Sequence, residues 1–215
     1  MQITSDHRLY LVLTEEYGMG KPLVSIAQQA IAGGIDILQM REKQRSREEL
    51  VSLGKALGVL CRKNGVVFII NDDPHLACEL DADGVHLGQE DMARYPIGQV
   101  RRIVGPDKII GLSTHSPEQF RHGNEADVDY LAFGPVFPTQ TKDYSIGTGH
   151  VKSLLQAAVK PVFLIGGIHA ANLDIVLSTG ATRVALIRDI MQAADIPAQV
   201  NWYKEKLMSR KGMRI

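Results

Sequence analysis

Eight short apolar runs rich in β-branched and aromatic side chains recur along this chain, and segments with helical spacing lie between them. The runs are Leu9–Leu13, Ile35–Met40, Val66–Ile70, Gly84–Leu87, Lys108–Leu112, Tyr130–Phe133, Val162–Ile165 and Arg183–Ile187. Short runs of this kind, closed by turn residues, have the form of parallel strands buried on both faces. The helical segments are Pro22–Ala32, Ser46–Arg62, a short turn before Gly84, Pro96–Val104, a helix begun by Pro117, Val151–Ala158, Asn172–Thr179 and Ala198–Ser209. Alternation of this kind argues for parallel βα units. Some eight units in 215 residues fit a single-domain (β/α)8 TIM barrel over 1–215, with its site at the C-terminal ends of the strands. A doubly wound open sheet is the alternative. Thr14-Glu15-Glu16-Tyr17-Gly18 after the first strand lacks the tight glycine turn of a dinucleotide fingerprint.

Local punctuation supports these boundaries. Gly33-Gly34, Asn64-Gly65 and Gly180 stand at helix stops, Ser46 at an N-cap with Glu48 and Glu49 behind it, and Pro117 in a first helical turn. Lys plus Arg number 24 and so do Asp plus Glu, giving no net charge. No global field then attracts nucleic acid or an anionic membrane, and any anion site has to be built locally. Cys61 and Cys78 are expected as free thiols. Met1–Asp6 has no apolar signal segment and no apolar run approaches a membrane span, so a soluble cytoplasmic protein is expected.

The polar residues at the strand ends carry the chemistry. Val66–Ile70 stops at Asn71-Asp72-Asp73, and Gly84–Leu87 stops at Gly88-Gln89-Glu90-Asp91. Asp72 and Asp91 are expected to project from neighbouring strand ends into one mouth, where hard oxygens suit Mg²⁺ shared with a substrate phosphate. A helix cap over Asn71–Pro74 is the alternative. Gln39, Arg41 and Lys43 follow Ile35 and Ile37 at alternate positions, so the two isoleucines are expected inside the barrel and the three polar residues at its mouth. Two cations on one face call for an anion such as a diphosphate; a solvated charge run is the alternative. Ser113-Thr114-His115 offers hydroxyls and an imidazole without a nucleophile elbow. Ser113 is therefore expected to hydrogen-bond ligand, and His115 either caps the next helix or faces the ligand. Within the long stretch from Gly134 to His150, Thr139, Thr141 and Lys142 form a second anion grip, and Gly166-Gly167 lets backbone N–H groups approach a phosphate.

Together, Gln39–Lys43, Asn71–Asp73, His86–Asp91, Ser113–His115, Pro138–Lys142 and Ile165–Ile168 resemble, in order, the motif blocks of the thiamine phosphate synthase family, spanning about Leu9 to Ile190. The resemblance implies a transferase on a (β/α)8 barrel. It would join hydroxymethylpyrimidine diphosphate to thiazole phosphate, releasing pyrophosphate by a dissociative, Mg²⁺-assisted route. It implies Gln39, Arg41, Lys43, Asn71, Ser113 and Lys142 on the pyrimidine diphosphate, with Arg41, Lys43 and Lys142 catalytic, and Asp72 and Asp91 on Mg²⁺. Thr139, Thr141, Gly167 and the backbone of Ile187 and Arg188 would hold the thiazole phosphate. The chain departs from the family at Ile187-Arg188-Asp189-Ile190, where Val-Ser, a small residue and Ile are usual, and at Gly147-Thr148-Gly149-His150. If Val184 and Leu186 face the barrel, strand alternation carries Arg188 into the phosphate cup; if they face the helices, Arg188 lies outside it. A thiazole tautomerase using His115 without metal, and a non-catalytic thiamine-precursor binding protein, are the rival functions. The partners expected are small molecules, and the oligomeric state stays open.

Overall fold

A computed structural model describes residues 2–139 and 144–209. The strands are β1 (Leu9–Leu13), β2 (Ile37–Met40), β3 (Val67–Asn71), β4 (Gly84–Leu87), β5 (Ile109–Thr114), β6 (Tyr130–Phe133), β7 (Val162–Ile165) and β8 (Val184–Leu186). They pair in parallel and in sequence order, and β8 returns to β1 through Leu9↔Val184 and Leu11↔Leu186, closing the barrel. The helices are α1 (Leu23–Ala32), α2 (Arg47–Asn64), α3 (Pro74–Glu79), α4 (Asp91–Arg94) and α5 (Ile97–Val104). The second half adds α6 (Pro117–Glu125), α7 (Val151–Ala157), α8 (Leu173–Ser178), α9 (Arg188–Met191) and α10 (Ile196–Met208). The chain is a single-domain (β/α)8 barrel, as expected.

Strand alternation divides the core into two layers. Tyr10, Ile37, Ile69, Ile109, Tyr130 and Phe163 fill the barrel, whereas Leu9, Leu11, Leu38, Phe68, Leu131 and Leu164 pack outward against the helices. Ile35 belongs to the outer layer. It precedes β2, so the alternation that sends Ile37 inward does not extend back to it. Val184 and Leu186 also face the helices while Ala185 faces inward, the second of the two registers open for β8.

Helix ends follow local chemistry. Ser46 and Glu49 form a reciprocal capping box at the start of α2, and Gly65 ends that helix in the left-handed region at φ 68°. At the opposite end of the barrel from the mouth, three carboxylates tie strand to strand. Asp36 Oδ2 accepts the N–H groups of Arg8 and Leu9 at 2.8 Å each, and its other oxygen meets Lys204 of α10. Asp83 and Asp129 likewise accept Phe68 N–H and Ile110 N–H, each at 2.8 Å. These aspartates occupy the structural end of the strands, which leaves Asp72 and Asp91 at the functional end. Among the described residues no helix is long and apolar enough to cross a membrane.

Candidate active site

A cleft of about 1630 Å³ opens at the C-terminal ends of the strands, and Gln39, Arg41, Lys43, Asn71, Asp72 and Asp91 are among the residues that line it. β2 ends at Met40, yet Arg41 and Lys43 continue the inward positions set by Gln39. Arg41 and Glu42 are half-buried and Lys43 is exposed. Glu42 turns aside to accept Glu15 N–H at 2.6 Å and to meet Arg45. Among the described residues Arg41 and Lys43 form no ion pair within 4.0 Å, so both cations stay available at the mouth. Gln39 is 3 % exposed, and its Nε2 has no hydrogen-bond partner. A buried amide N–H₂ without a partner is costly, and Gln39 is among the residues that line the cleft.

The turn after β3 serves two purposes at once. Asp73 caps α3, accepting Leu76 N–H at 2.8 Å with Pro74 in the first helical turn. Asp72, one residue earlier, takes φ 64°, a left-handed conformation that costs a non-glycine residue energy and recurs at functional sites. It brings the Asp72 carboxyl to that of Asp91, and burial followed by the Asp91 contact and charge raises the Asp72 pKa well above the ordinary carboxylate range. Asp91 stands at the first position of α4 rather than on β4, with one oxygen accepting Gly88 N–H at 2.9 Å. Two hard carboxylates in contact, one of them reluctant to ionise, are a donor set that a divalent cation satisfies.

Ser113 and His115 both line the cleft. Ser113 Oγ lies 2.8 Å from His86 Nε2. Helix α6 is capped by Ser116, which accepts Gln119 N–H at 3.2 Å, so His115 is not the cap. Its Nδ1 donates to Gly134 O at 2.5 Å, and its ring lies edge-on to Tyr144 at 6.5 Å.

On the far side of the cleft the chain turns through Gly166 (φ 96°) and Gly167 (φ 64°). Side chains there would also collide with the loop after β6: an added Cβ would lie 2.3 Å from Pro135 at Gly166 and 2.6 Å from Pro138 O at Gly167. Thr139 and Ile187 line the same side. Thr141 and Lys142 lie outside the described residues. Arg188 lines the cleft although Val184 and Leu186 face the helices. The alternation argument fails because β8 stops at Leu186 and Arg188 opens α9, where side chains follow a helical period. Arg188 stacks its guanidinium over Tyr17, centroid distance 5.4 Å. Asp189 also borders the cleft, with its carboxylate accepting from Gln199 at 2.7 Å and Tyr203 at 2.5 Å of α10. Tyr17, His86, Tyr144 and Trp202 are mouth residues to which the sequence assigned no role. Of these, only His86 carried a signal, its inward position two residues after Gly84.

The mouth of this (β/α)8 barrel carries a carboxylate pair and two cations, without an ion pair among the described residues, on one side and a glycine turn on the other. The sequence profile of thiamine monophosphate synthase matches residues 9–190, and the chain belongs to that family. The chain is 37% identical over 194 residues to the thiamine-phosphate synthase of Halalkalibacterium halodurans, covering 89% of this chain and 90% of the relative. With that of Desulfitobacterium hafniense it shares 41% over 193 residues, covering 88% and 92%. The solved thiamine phosphate pyrophosphorylase from Pyrococcus furiosus superposes with a TM-score of 0.86 at 33% identity, covering 97% and 98% of the two chains. The protein is therefore a transferase of thiamine biosynthesis acting on small molecules.

Proposed function

We propose that this transferase condenses 4-amino-2-methyl-5-(diphosphooxymethyl)pyrimidine with thiazole phosphate, giving thiamine phosphate and pyrophosphate. The observation that supports the proposal is the buried, unpartnered Gln39 amide beside a carboxylate pair and two cations that form no ion pair among the described residues. A heteroaromatic ring with hydrogen-bond acceptors, joined to a diphosphate, supplies what each of these groups lacks. Gln39 and Asn71 orient the pyrimidine. Arg41, Lys43 and Lys142 gather the diphosphate oxygens, Ser113 adds a hydroxyl, and Asp72 with Asp91 hold Mg²⁺. A magnesium ion bound there neutralises diphosphate charge as a Lewis acid.

The pyrimidine C–O bond breaks with its electron pair leaving on pyrophosphate, and the electron-rich ring carries the positive charge until the thiazole nitrogen attacks. Such a step asks for preorganised positive charge around the leaving group rather than for a nucleophile or strong base. Thr139, Thr141, Gly167 and the backbone of Ile187 and Arg188 hold the thiazole phosphate across the mouth. The test is product formation from both substrates with Mg²⁺ and with excess chelator. Turnover that survives the chelator removes the metal from the scheme. Isomerisation of a thiazole without the pyrimidine would make the protein a tautomerase, a chemistry that has no use for the Asp72–Asp91 pair.

A further inference from the structure

A file of four hydroxyl and imidazole groups runs through the barrel core to the mouth. Tyr10 Oη lies 2.9 Å from Tyr130 Oη. Tyr130 Oη lies 2.9 Å from His86 Nδ1, and His86 Nε2 lies 2.8 Å from Ser113 Oγ. The two tyrosines are 2 % and 0 % exposed and His86 7 %, so water does not complete their bonding. The seat for Tyr130 is specific. An added Cβ at Gly111 would lie 2.1 Å from Tyr130 Cζ and 2.4 Å from its oxygen, so only glycine on β5 admits this phenol.

Counting protons sets the direction of the file. Each hydroxyl carries one proton and a neutral imidazole one, which makes four protons for three contacts. One proton is left over and points out of the file; Tyr130 is fully buried in the apolar core, which disfavours losing it in the middle and sends it to an end. At the Tyr10 end the surroundings are apolar, including Phe163 edge-on at 5.4 Å, and an unpaired buried O–H there is costly. At the Ser113 end is the open cleft. The consistent arrangement has Tyr10 donating to Tyr130, Tyr130 to His86 Nδ1, and His86 Nε2–H to Ser113 Oγ. A doubly protonated imidazole would strand a tyrosine proton against the apolar barrel core.

We propose that Tyr10, Tyr130 and His86 form a positioning relay that fixes His86 as its Nε2–H tautomer and turns the Ser113 hydroxyl proton into the cleft as a donor to the diphosphate. Two consequences follow for the known reaction class. Ser113 has its proton free for a ligand acceptor, because one of its lone pairs already receives His86 Nε2–H. The Ser113–His86 contact, which has the separation of a nucleophile and its base, is wired in the opposite sense: His86 offers Ser113 a proton and has no lone pair with which to take one. The barrel therefore holds serine and histidine together without hydrolytic chemistry, a protection for a site full of diphosphate. The identity of the acceptor rests on the proposed pyrimidine diphosphate site; the wiring does not.

The experiment has two arms. Nitrogen-15 NMR of the full-length protein at neutral pH reads the His86 tautomer, which is expected to be Nε2–H with a hydrogen-bonded Nδ1. Tyr10→Phe is expected to leave that tautomer unchanged, because the new end of the file at Tyr130 is still apolar. Tyr130→Phe should shift Nδ1 to the unbonded position. An Nδ1–H tautomer in the wild-type protein overturns the proposal without any variant having to fold. In the second arm, pyrimidine diphosphate affinity with Mg²⁺ is measured for Tyr130→Phe, Ser113→Ala and the double variant. Tyr130→Phe should weaken binding roughly threefold to tenfold in the wild-type background and not at all once Ser113 is alanine. Equal losses in both backgrounds overturn the route through Ser113. An Nε2–H tautomer in a wild-type protein that does not bind pyrimidine diphosphate would instead uphold the wiring and remove the diphosphate as its object.

Discussion

Arg188 holds its guanidinium carbon 5.4 Å from the centre of the Tyr17 ring. The contact exists because β1 pairs with β8, which sets the turn after the first strand beside the start of α9. Asp189 is occupied by Gln199 and Tyr203 and does not neutralise its neighbour. The guanidinium is thus steadied on a ring face at the cleft, and among the described residues no hydrogen bond or ion pair takes up its N–H donors. Arg188→Ser should weaken thiazole phosphate binding by about 1.5–3 kcal/mol, the range for a hydrogen bond to a charged group. Tyr17→Leu should cost less, about 0.5–1 kcal/mol, since the charge stays and only its platform goes. Calorimetric titration of each ligand separately decides the point: pyrimidine diphosphate affinity should hardly move in either variant.

Asp72 makes the metal-free protein sensitive to pH. Burial and the Asp91 carboxyl raise its pKa in the folded chain, so the native state keeps a proton that the unfolded chain has already released. This contribution to stability is therefore fully present below the ordinary carboxylate range and is lost as pH rises through the raised value. Asp72→Asn removes the charge, and asparagine tolerates the left-handed backbone at this position. In chelator at neutral pH the variant should melt above the wild type, while its turnover falls more than about tenfold. Adding Mg²⁺ should raise the melting temperature of the wild type alone. Identical melting curves for the two proteins across the pH range would refute the carboxylate pair.

Arg41→Ala and Lys43→Ala should each lower kcat by more than about tenfold, equivalent to roughly 1.4 kcal/mol of transition-state stabilisation. His115→Asn should do less, since its Nδ1 is already engaged by Gly134 O at 2.5 Å and the proposed bond-breaking step moves no proton. A histidine loss as deep as the arginine loss would favour acid–base chemistry at this mouth over charge neutralisation.

Two glycine substitutions should move stability in opposite directions. Gly111→Ala places a methyl group against a rigid phenol, 2.1 Å from Tyr130 Cζ, and overpacking of this kind costs about 1–3 kcal/mol. Gly98 lies in α5 with nothing within 4 Å of an added Cβ, so Gly98→Ala should gain about 0.5–1 kcal/mol of helix stability. Urea unfolding of the two variants reads both.

Local chemistry accounts for what was legible in the chain. The capping box at Ser46–Glu49, the stop at Gly65 and the Asp73–Pro74 helix start depend only on residues a few positions apart. Eight apolar runs with turn residues between them specify the barrel, because parallel strands need crossovers and the crossovers are helical. Period-two alternation from Gln39 reaches two cations that border the cleft, Arg41 through a further ladder bond to Leu13 and Lys43 at the bend beyond it.

The same rule failed at Arg188, which had been reached by extending β8 past Leu186 into what is a helix. Where a strand stops is decided by its pairing partners, and those are distant in sequence. The Asp72–Asp91 contact needed the turn of α4, and the seat of Arg188 needed Tyr17 from the opposite end of the chain. The buried file is the extreme case: its contacts join residues 120, 44 and 27 positions apart. No local pattern marks Tyr10, Tyr130 and His86 as partners, since each appears singly as a polar residue in an apolar run. Only closure of the barrel brings their strands around one axis, and only there does the proton count give the file a direction.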